Sequence, residues 1–271
     1  MTKTLNSNYD PKLSHNEVGA TISNLGIKKA NTKIWQLFIL GFLAGLYIGF
    51  GSHLFLVAME QGMGRIIAGA CFSVGLVLVV IAGAELFTGN ITMIVGAISG
   101  HYSLLSLLKN WIVVYIGNLA GALILAILVY KAGIFGHDEE LSTMGSMAVK
   151  IADYKMSLTF SEAFIRGIFC NILVILAIIM SYFSKDIISK IICVILPIMA
   201  FVASGFEHSI ANMYLIPAGL IVKGFTLPQL IVMFHNVLPV TLGNIVGGLF
   251  IVLIHPNRIR QIASLFSALK S

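Results

Sequence analysis

Apolar residues in this chain come in long unbroken runs, parted by short polar punctuation. Windows free of Asp, Glu, Lys and Arg cover 34–59, 66–84, 86–108, 110–130, 167–184, 191–206, 208–222 and 224–257. A helix crossing a bilayer core needs about 20 mostly apolar residues. Residues 34–59 and 110–130 therefore each predict one span. Thr159 to Tyr182 predicts another, with Glu162 and Arg166 near its start. About 227–255 predicts a long, tilted one.

Two stretches break this pattern. Residues 66–99 are apolar except around Glu85, and 187–222 except around Glu207. Each is too long for one span and too short for two with a loop. A helix interrupted by irregular backbone fits both. The expected fold is an all-α membrane protein of six transmembrane helices, with helices 2 and 5 broken.

Composition agrees. Of 271 residues, 58% are hydrophobic and 10% charged, with mean hydropathy +0.96. Soluble domains carry about 25% charged residues, so a cytosolic enzyme and a disordered chain are excluded. The net charge of +6 comes from few residues, not a dense basic face, so no nucleic-acid partner is expected. The expected surroundings are a lipid bilayer. Cys71, Cys170 and Cys193 stand apart with no C-x-x-C pair and read as buried small side chains. No metal and no cofactor are expected. The polar first 30 residues do not read as a cleavable signal peptide.

Six spans put both termini on one side. That side then holds eleven Lys and Arg (Lys3, Lys12, Lys28, Lys29, Lys33, Lys109, Lys185, Lys190, Arg258, Arg260, Lys270) against five on the other (Arg65, Lys131, Lys150, Lys155, Lys223). Basic excess marks the cytoplasmic face, so both termini are expected on the cytoplasmic side of the cell (inner) membrane. The organisation is then a cytoplasmic arm over 1–33, a channel domain over 34–257 and a cytoplasmic tail over 258–271. The arm suits an amphipathic helix around Glu17–Lys29. Residues 132–157 form the longest outer loop, which carries Lys155.

The two halves echo each other. Glu85-Leu-Phe-Thr-Gly-Asn90 aligns with Glu207-His-Ser-Ile-Ala-Asn212, and Phe42-x-x-Gly45 with Phe164-x-x-Gly167, both at an offset of 122. Gly117-Asn118 followed by Gly121 aligns with Gly243-Asn244 followed by Gly247 at 126. Repeats of three spans, about 34–131 and about 158–257, must insert with opposite topology. Inverted repeats place a pathway near the midplane, formed by broken helices. Irregular backbone survives there only where it is buried or lines a wet cavity.

Glu85 and Glu207 are carboxylates at membrane depth, where isolated charge is costly. Two readings stay open: each lines the pore, or each ties down its loop through backbone N–H groups. Asn90 and Asn212 are expected to cap the short helices after the breaks. Helix starts favour anions. Pro217 should kink the second short helix or end it early. His208, with Leu86 at the same repeat position, breaks the symmetry and changes charge near neutral pH. His53, His101, His137, His235 and His255 fall near helix ends or loops, without a special role. Gly41, Gly45 and Gly49 permit close packing, in the protomer or at a subunit seam. Trp35, Trp111, Tyr130 and Tyr182 suit interfacial belts.

Val80-Ile-Ala-Gly-Ala-Glu-Leu-Phe-Thr-Gly89 resembles the first signature of the formate/nitrite transporter family, and Ala203-Ser-Gly-Phe-Glu-His-Ser-Ile-Ala-Asn212 its second motif. The resemblance runs from about Trp35 to about His255. It implies an aquaporin-like fold in a homopentamer, one pore per protomer, carrying small monovalent anions. Within the family, overall likeness points to hydrosulfide, with formate and nitrite also substrates. Asp153-Tyr-Lys-Met-Ser-Leu158 lacks the histidines of formate-conducting members. Carried over, the pore centre is His208, Thr88 and Asn171, and Lys155 attracts anions at the vestibule. The cytoplasmic slit is Leu86, Phe87 and Val174; the outer slit is Phe72, Leu76 and Phe201.

Three rivals share some of these features. An aquaporin would carry paired Asn-Pro-Ala motifs, and this chain has no Asn-Pro. An intramembrane hydrolase could draw on Ser204, Glu207, His208 and Ser209, but a triad is a geometry, not a string of neighbours. An obligate proton-coupled transporter of the same anions would share the repeat.

Overall fold

A computed structural model describes residues 12–137, 140–224 and 226–254. The tail over 258–271 and His255 lie outside the described residues, as do Lys3, Arg258, Arg260 and Lys270; so does the side chain of His137. The described chain is almost entirely helical. Five helical segments are long and apolar enough to cross a membrane: Ile34–Glu60, Gly64–Gly83, Leu104–Lys131, Phe160–Phe183 and Ile231–Leu253. Phe87–Ile98, Ile187–Ala203 and Ser209–Val222 are apolar but shorter. Large apolar side chains such as Ile66, Leu105 and Ile188 point outward, a surface only lipid or another subunit would cover.

The elements are α1 (His15–Asn31), α2 (Ile34–Glu60), α3 (Gly64–Phe72), α4 (Val74–Leu78), a π turn (Val79–Gly83), α5 (Phe87–Asn90), a 3-10 turn (Ile91–Met93), α6 (Ile94–Ile98) and α7 (Leu104–Lys131). A small hairpin, β1 (Gly136–His137) with β2 (Glu140–Leu141), leads to α8 (Thr143–Met156), α9 (Phe160–Phe183), α10 (Ile187–Ala203), α11 (Ser209–Val222) and α12 (Leu227–Leu253). Helix starts are set by local side chains. Ser14 with Glu17 and Thr159 with Glu162 form capping boxes. Ser103, Ser142 and Asp186 cap α7, α8 and α10.

Glycines fix the two tightest helix pairs. A Cβ on Gly41 would meet the Val114 carbonyl, and one on Gly45 would strike that of Asn118. Gly117 and Gly121 of α7 face the Phe38 and Phe42 carbonyls in return. Contacts on α2 and α7 rise together, so the helices run parallel. Gly167 against Val240, Gly243 against Phe164 and Gly247 against Ile168 pair α9 with α12 in the same way. The α2 glycines thus serve the protomer core.

Several local expectations are corrected. Residues 132–157 are not an open loop: α8 fills much of them, and Lys155 sits in its last turn, buried. Its neighbour α11 presents Gly219 to Ala148 and Ala152. Pro217 does not end α11, which continues to Val222 because every turn around it is packed. His53 lies inside α2, with Nδ1 2.9 Å from the Tyr214 hydroxyl. Trp111 is no belt residue: it is buried and donates to the Asn90 carbonyl at 2.9 Å.

Candidate functional site

Two helices stop inside the bundle at glycines in the left-handed region, Gly83 (φ 84°) and Gly205 (φ 74°). Side chains rarely adopt this conformation, and these glycines are also 122 apart. Backbone then runs extended at Ala84 and Leu86 in one break and at His208 in the other, until α5 and α11 begin. The first amides of the short helices are satisfied from neighbouring long helices. Asn118 Oδ1 accepts from Phe87 N at 3.0 Å, and Asn244 Oδ1 from Ser209 N at 2.9 Å. Asn118 Nδ2 donates to the Gly41 and Glu85 carbonyls (2.7 and 3.0 Å); Asn244 Nδ2 donates to those of Gly167 and Glu207 (2.8 and 3.0 Å).

The expected caps, Asn90 and Asn212, do not cap. Asn90 ends α5 and Asn212 lies inside α11, each one turn past the helix start. Both instead hold the glutamate five residues back, donating at 2.7 Å. Lys29 Nζ pairs with Glu85 at 3.0 Å, and Lys155 Nζ reaches both oxygens of Glu207 at 3.0 and 2.9 Å. Asn110 Oδ1 accepts from Asn90 at 2.8 Å, and Asn236 Oδ1 from Asn212 at 2.7 Å. Asn236 Nδ2 returns to the Lys155 carbonyl at 2.7 Å, as Asn110 Nδ2 does to that of Lys29 at 3.4 Å. Neither reading of the glutamates was complete: lysine and asparagine side chains hold them, not backbone amides. Lys155 therefore meets the cavity with its charge already matched.

Thr88 and His208 meet between the breaks. Thr88 Oγ1 lies 3.0 Å from His208 Nε2, and both residues are buried. His208 Nδ1 accepts from Ala211 N at 3.2 Å, so the neutral tautomer matching both contacts carries its proton on Nε2. Thr88 Oγ1 then accepts, and its own O–H is free to donate elsewhere. Asn171 Nδ2 holds the Thr88 carbonyl (3.3 Å) and that of Asn244 (2.7 Å). The Phe201 ring stacks on His208 at 6.0 Å and meets Phe72 edge-on at 5.6 Å.

Two cavities approach this contact and share no lining residue. One, about 280 Å³, is lined by Phe72, Phe201, His208, Lys155, Glu207 and Asn212, with the cations Arg65 and Lys150. The other, about 470 Å³, is lined by Leu86, Glu85, Asn90, Tyr182, Lys28 and Lys29. Leu76, Val174 and Phe87 line neither. The Phe87 ring faces α7 instead, 4.9 Å from Tyr115 and 6.1 Å from Trp111. A separate cavity of about 410 Å³ under α1 holds none of these residues. Ser204, Glu207, His208 and Ser209 form no triad: the imidazole nitrogens are bonded to Thr88 and Ala211 N. Among the described residues, no group of three His, Cys, Asp or Glu could hold a metal.

Lys29, Asn110, Asn118, Asn236 and Asn244 are site-building residues that sequence reading passed over. The signal was present: the offset of 126 linking Asn118 to Asn244 also links Asn110 to Asn236 and Lys29 to Lys155.

Comparison with known proteins fits this geometry. The formate/nitrite transporter family profile matches residues 16–256. The chain is 37% identical over 249 residues to the formate channel FocA of Escherichia coli K12, covering 82% of this chain and 86% of that one. It is 39% identical over 240 residues to a probable formate transporter of Methanothermobacter thermautotrophicus, covering 81% and 87%. A solved pentameric formate channel with formate bound superposes with TM-score 0.70 at 35% identity, covering 81% of this chain and 94% of that one. An ion channel of the same family gives 0.75 at 30% identity, covering 88% and 95%. These relatives are membrane channels and transporters, not enzymes. With a family match across nearly all of its helical region, this multi-pass membrane protein belongs to the formate/nitrite transporter family.

Proposed function

We propose that the chain is a channel for small monovalent weak-acid anions across the cell membrane. Hydrosulfide, formate and nitrite are its candidate substrates: overall sequence likeness favours hydrosulfide, and the relatives' names add formate. The observation that carries this reading is the buried Thr88–His208 contact: one cavity reaches His208 from the second break, and another comes as near as Leu86 and Gly89, on either side of Thr88, from the first. When that contact opens, the Thr88 hydroxyl and the His208 Nε2–H are two donors for one anion. Leu86 on one side and Phe72 with Phe201 on the other make dry constrictions, which hydrated ions cross poorly. Protonated substrate crosses them far more cheaply. Asn171 positions the Thr88 backbone.

The architecture we infer is an inverted repeat of three spans, α2, α3–α6 and α7, then α9, α10–α11 and α12. The matched glycine, asparagine and ion-pair contacts support it. Lys29 and Lys155 extend each unit upstream, to α1 and α8. The pentameric relative supports a homopentamer, and the basic-residue bias supports cytoplasmic termini.

The test is flux into proteoliposomes, comparing hydrosulfide, formate, nitrite and chloride across pH. Saturable flux of one weak-acid anion with chloride excluded is expected. Flux that appears only under an imposed proton gradient would replace the channel with an obligate proton-coupled transporter.

A further inference from the structure

We propose that the groove between the starts of α2 and α7 binds an anionic phospholipid. This shallow groove of about 900 Å³ lies on the outside of the bundle and meets the cavity at the first break only at Thr32. Lys33 and Lys109 form its polar end. Trp35, Phe38, Val113 and Ile116 form its apolar length.

The helix register puts these groups in order. Gly41 lies against Val114 and Gly117, and Gly45 against Asn118. Carried back two turns along the parallel helices, that register sets Lys33 level with Lys109. Phe38, Val113 and Ile116 then lie about 5–10 Å deeper, at 1.5 Å of rise per residue. Trp35 and Phe38 are exposed on this face, and indole rings favour headgroup depth.

Charge decides the headgroup. Lys29, Lys155 and Lys223 are held in ion pairs, whereas among the described residues neither Lys33 nor Lys109 has a carboxylate partner. Two unmatched ammonium groups side by side attract a phosphodiester of net negative charge. A zwitterionic headgroup brings a cation of its own and gains less. Basic pockets between membrane helices recognise lipid headgroups in this manner. The apolar length below the lysines gives an acyl chain its place, which free phosphate would leave empty. A second subunit would have to bring a carboxylate to each lysine or bury their charge unpaired, whereas an anionic headgroup supplies the countercharge itself. The proposal rests on the chain lying in a membrane and is independent of which anion it conducts.

Tryptophan fluorescence in reconstituted full-length protein tests it. The chain has two tryptophans, Trp35 and Trp111, and Trp111 is only 9% exposed. Quenching by brominated acyl chains therefore reports on Trp35. The protein is placed in phosphatidylcholine vesicles holding a small fraction of brominated phosphatidylglycerol, or the same fraction of brominated phosphatidylcholine. Quenching several-fold stronger from the anionic lipid is expected. A Lys33→Gln/Lys109→Gln variant, checked for intact assembly by size-exclusion chromatography, should lose that preference. Equal quenching by both lipids in the wild type would reduce the groove to ordinary lipid contact and overturn the proposal. No quenching by either would show that a subunit covers Trp35, and would overturn it too. A preference that survives the double substitution would remove the two lysines from the site.

Discussion

The Nζ of Lys155 lies 3.0 and 2.9 Å from the two carboxylate oxygens of Glu207, in a pair almost sealed from solvent. Buried pairs add little net stability over apolar packing, but removing one partner strands the other at a cost of about 3–5 kcal/mol. Lys155→Met and Glu207→Gln should each lower the thermal midpoint in detergent steeply. The double variant should recover part of the loss. By contrast, Lys223 and Asp153 pair at 2.6 Å on the exposed surface, and Lys223→Gln should change stability by only about 0–1 kcal/mol.

Asn244 makes three bonds at the second break, and Asn118 makes their counterparts at the first. Asn244→Ala leaves the Ser209 amide and two carbonyls unsatisfied, at about 1–3 kcal/mol each where burial is complete. Asn244→Asp keeps the acceptor but turns a carboxyl toward the Gly167 and Glu207 carbonyls, so it must take up a proton or carry a buried charge. Thermal unfolding should place both variants well below wild type.

Thr88→Val keeps the side-chain shape and removes the hydroxyl. The variant should fold and assemble but lose most anion flux, while Thr88→Ser retains it. His208→Phe should shift selectivity or the pH response with the fold intact. A folded His208→Phe protein with wild-type rates and pH dependence would remove His208 from the centre.

Because Glu207 already matches Lys155, the cations lining the same cavity with no ion pair among the described residues are Arg65 and Lys150. Charge at a mouth raises the local anion concentration. Arg65→Gln and Lys150→Gln should reduce flux at about 10 mM salt, where the screening length is about 30 Å, and approach wild type at about 1 M, where it is about 3 Å. Loss of flux equal at both salt concentrations would point to a structural effect instead.

Gly45→Ala would drive a methyl group into the Asn118 carbonyl. The α2–α7 pair has no slack, so the yield of assembled protein should fall sharply. Gly19, on α1, faces open space: a Cβ added there would meet nothing within 4 Å. Gly19→Ala should leave stability equal or raised by up to about 1 kcal/mol. Size-exclusion profiles and melting curves would check both.

The long spans were legible because bilayer-facing helices need only length and apolarity. Glu85 and Glu207 stood out because they interrupt otherwise unbroken apolar runs, and extended backbone lies beside them at Ala84, Leu86 and His208. What holds the breaks was not legible. Asn90 and Asn212 follow them at helix-capping distance, so local rules favoured capping, while the first amides are met by Asn118 and Asn244, dozens of residues away, and His208 caps α11 itself. Lys155 looked like a loop cation because nothing local announces a partner 52 residues downstream. Trp111 resembled a belt residue for the same reason: its acceptor, the Asn90 carbonyl, is set by tertiary packing. Offsets between equivalent residues carried more of the site than local propensity did.

The two mouths that share no lining residue have an energetic meaning for a cell. Protons move along hydrogen-bonded files of water far faster than any solute diffuses, and such a file needs continuous wetted space. Here Thr88, His208 and the rings stacked beside them interrupt that space. If the proposed channel function holds, an anion pathway closed in this way would keep bare protons from short-circuiting the gradient across the membrane, and a proton that crossed would do so aboard its conjugate base.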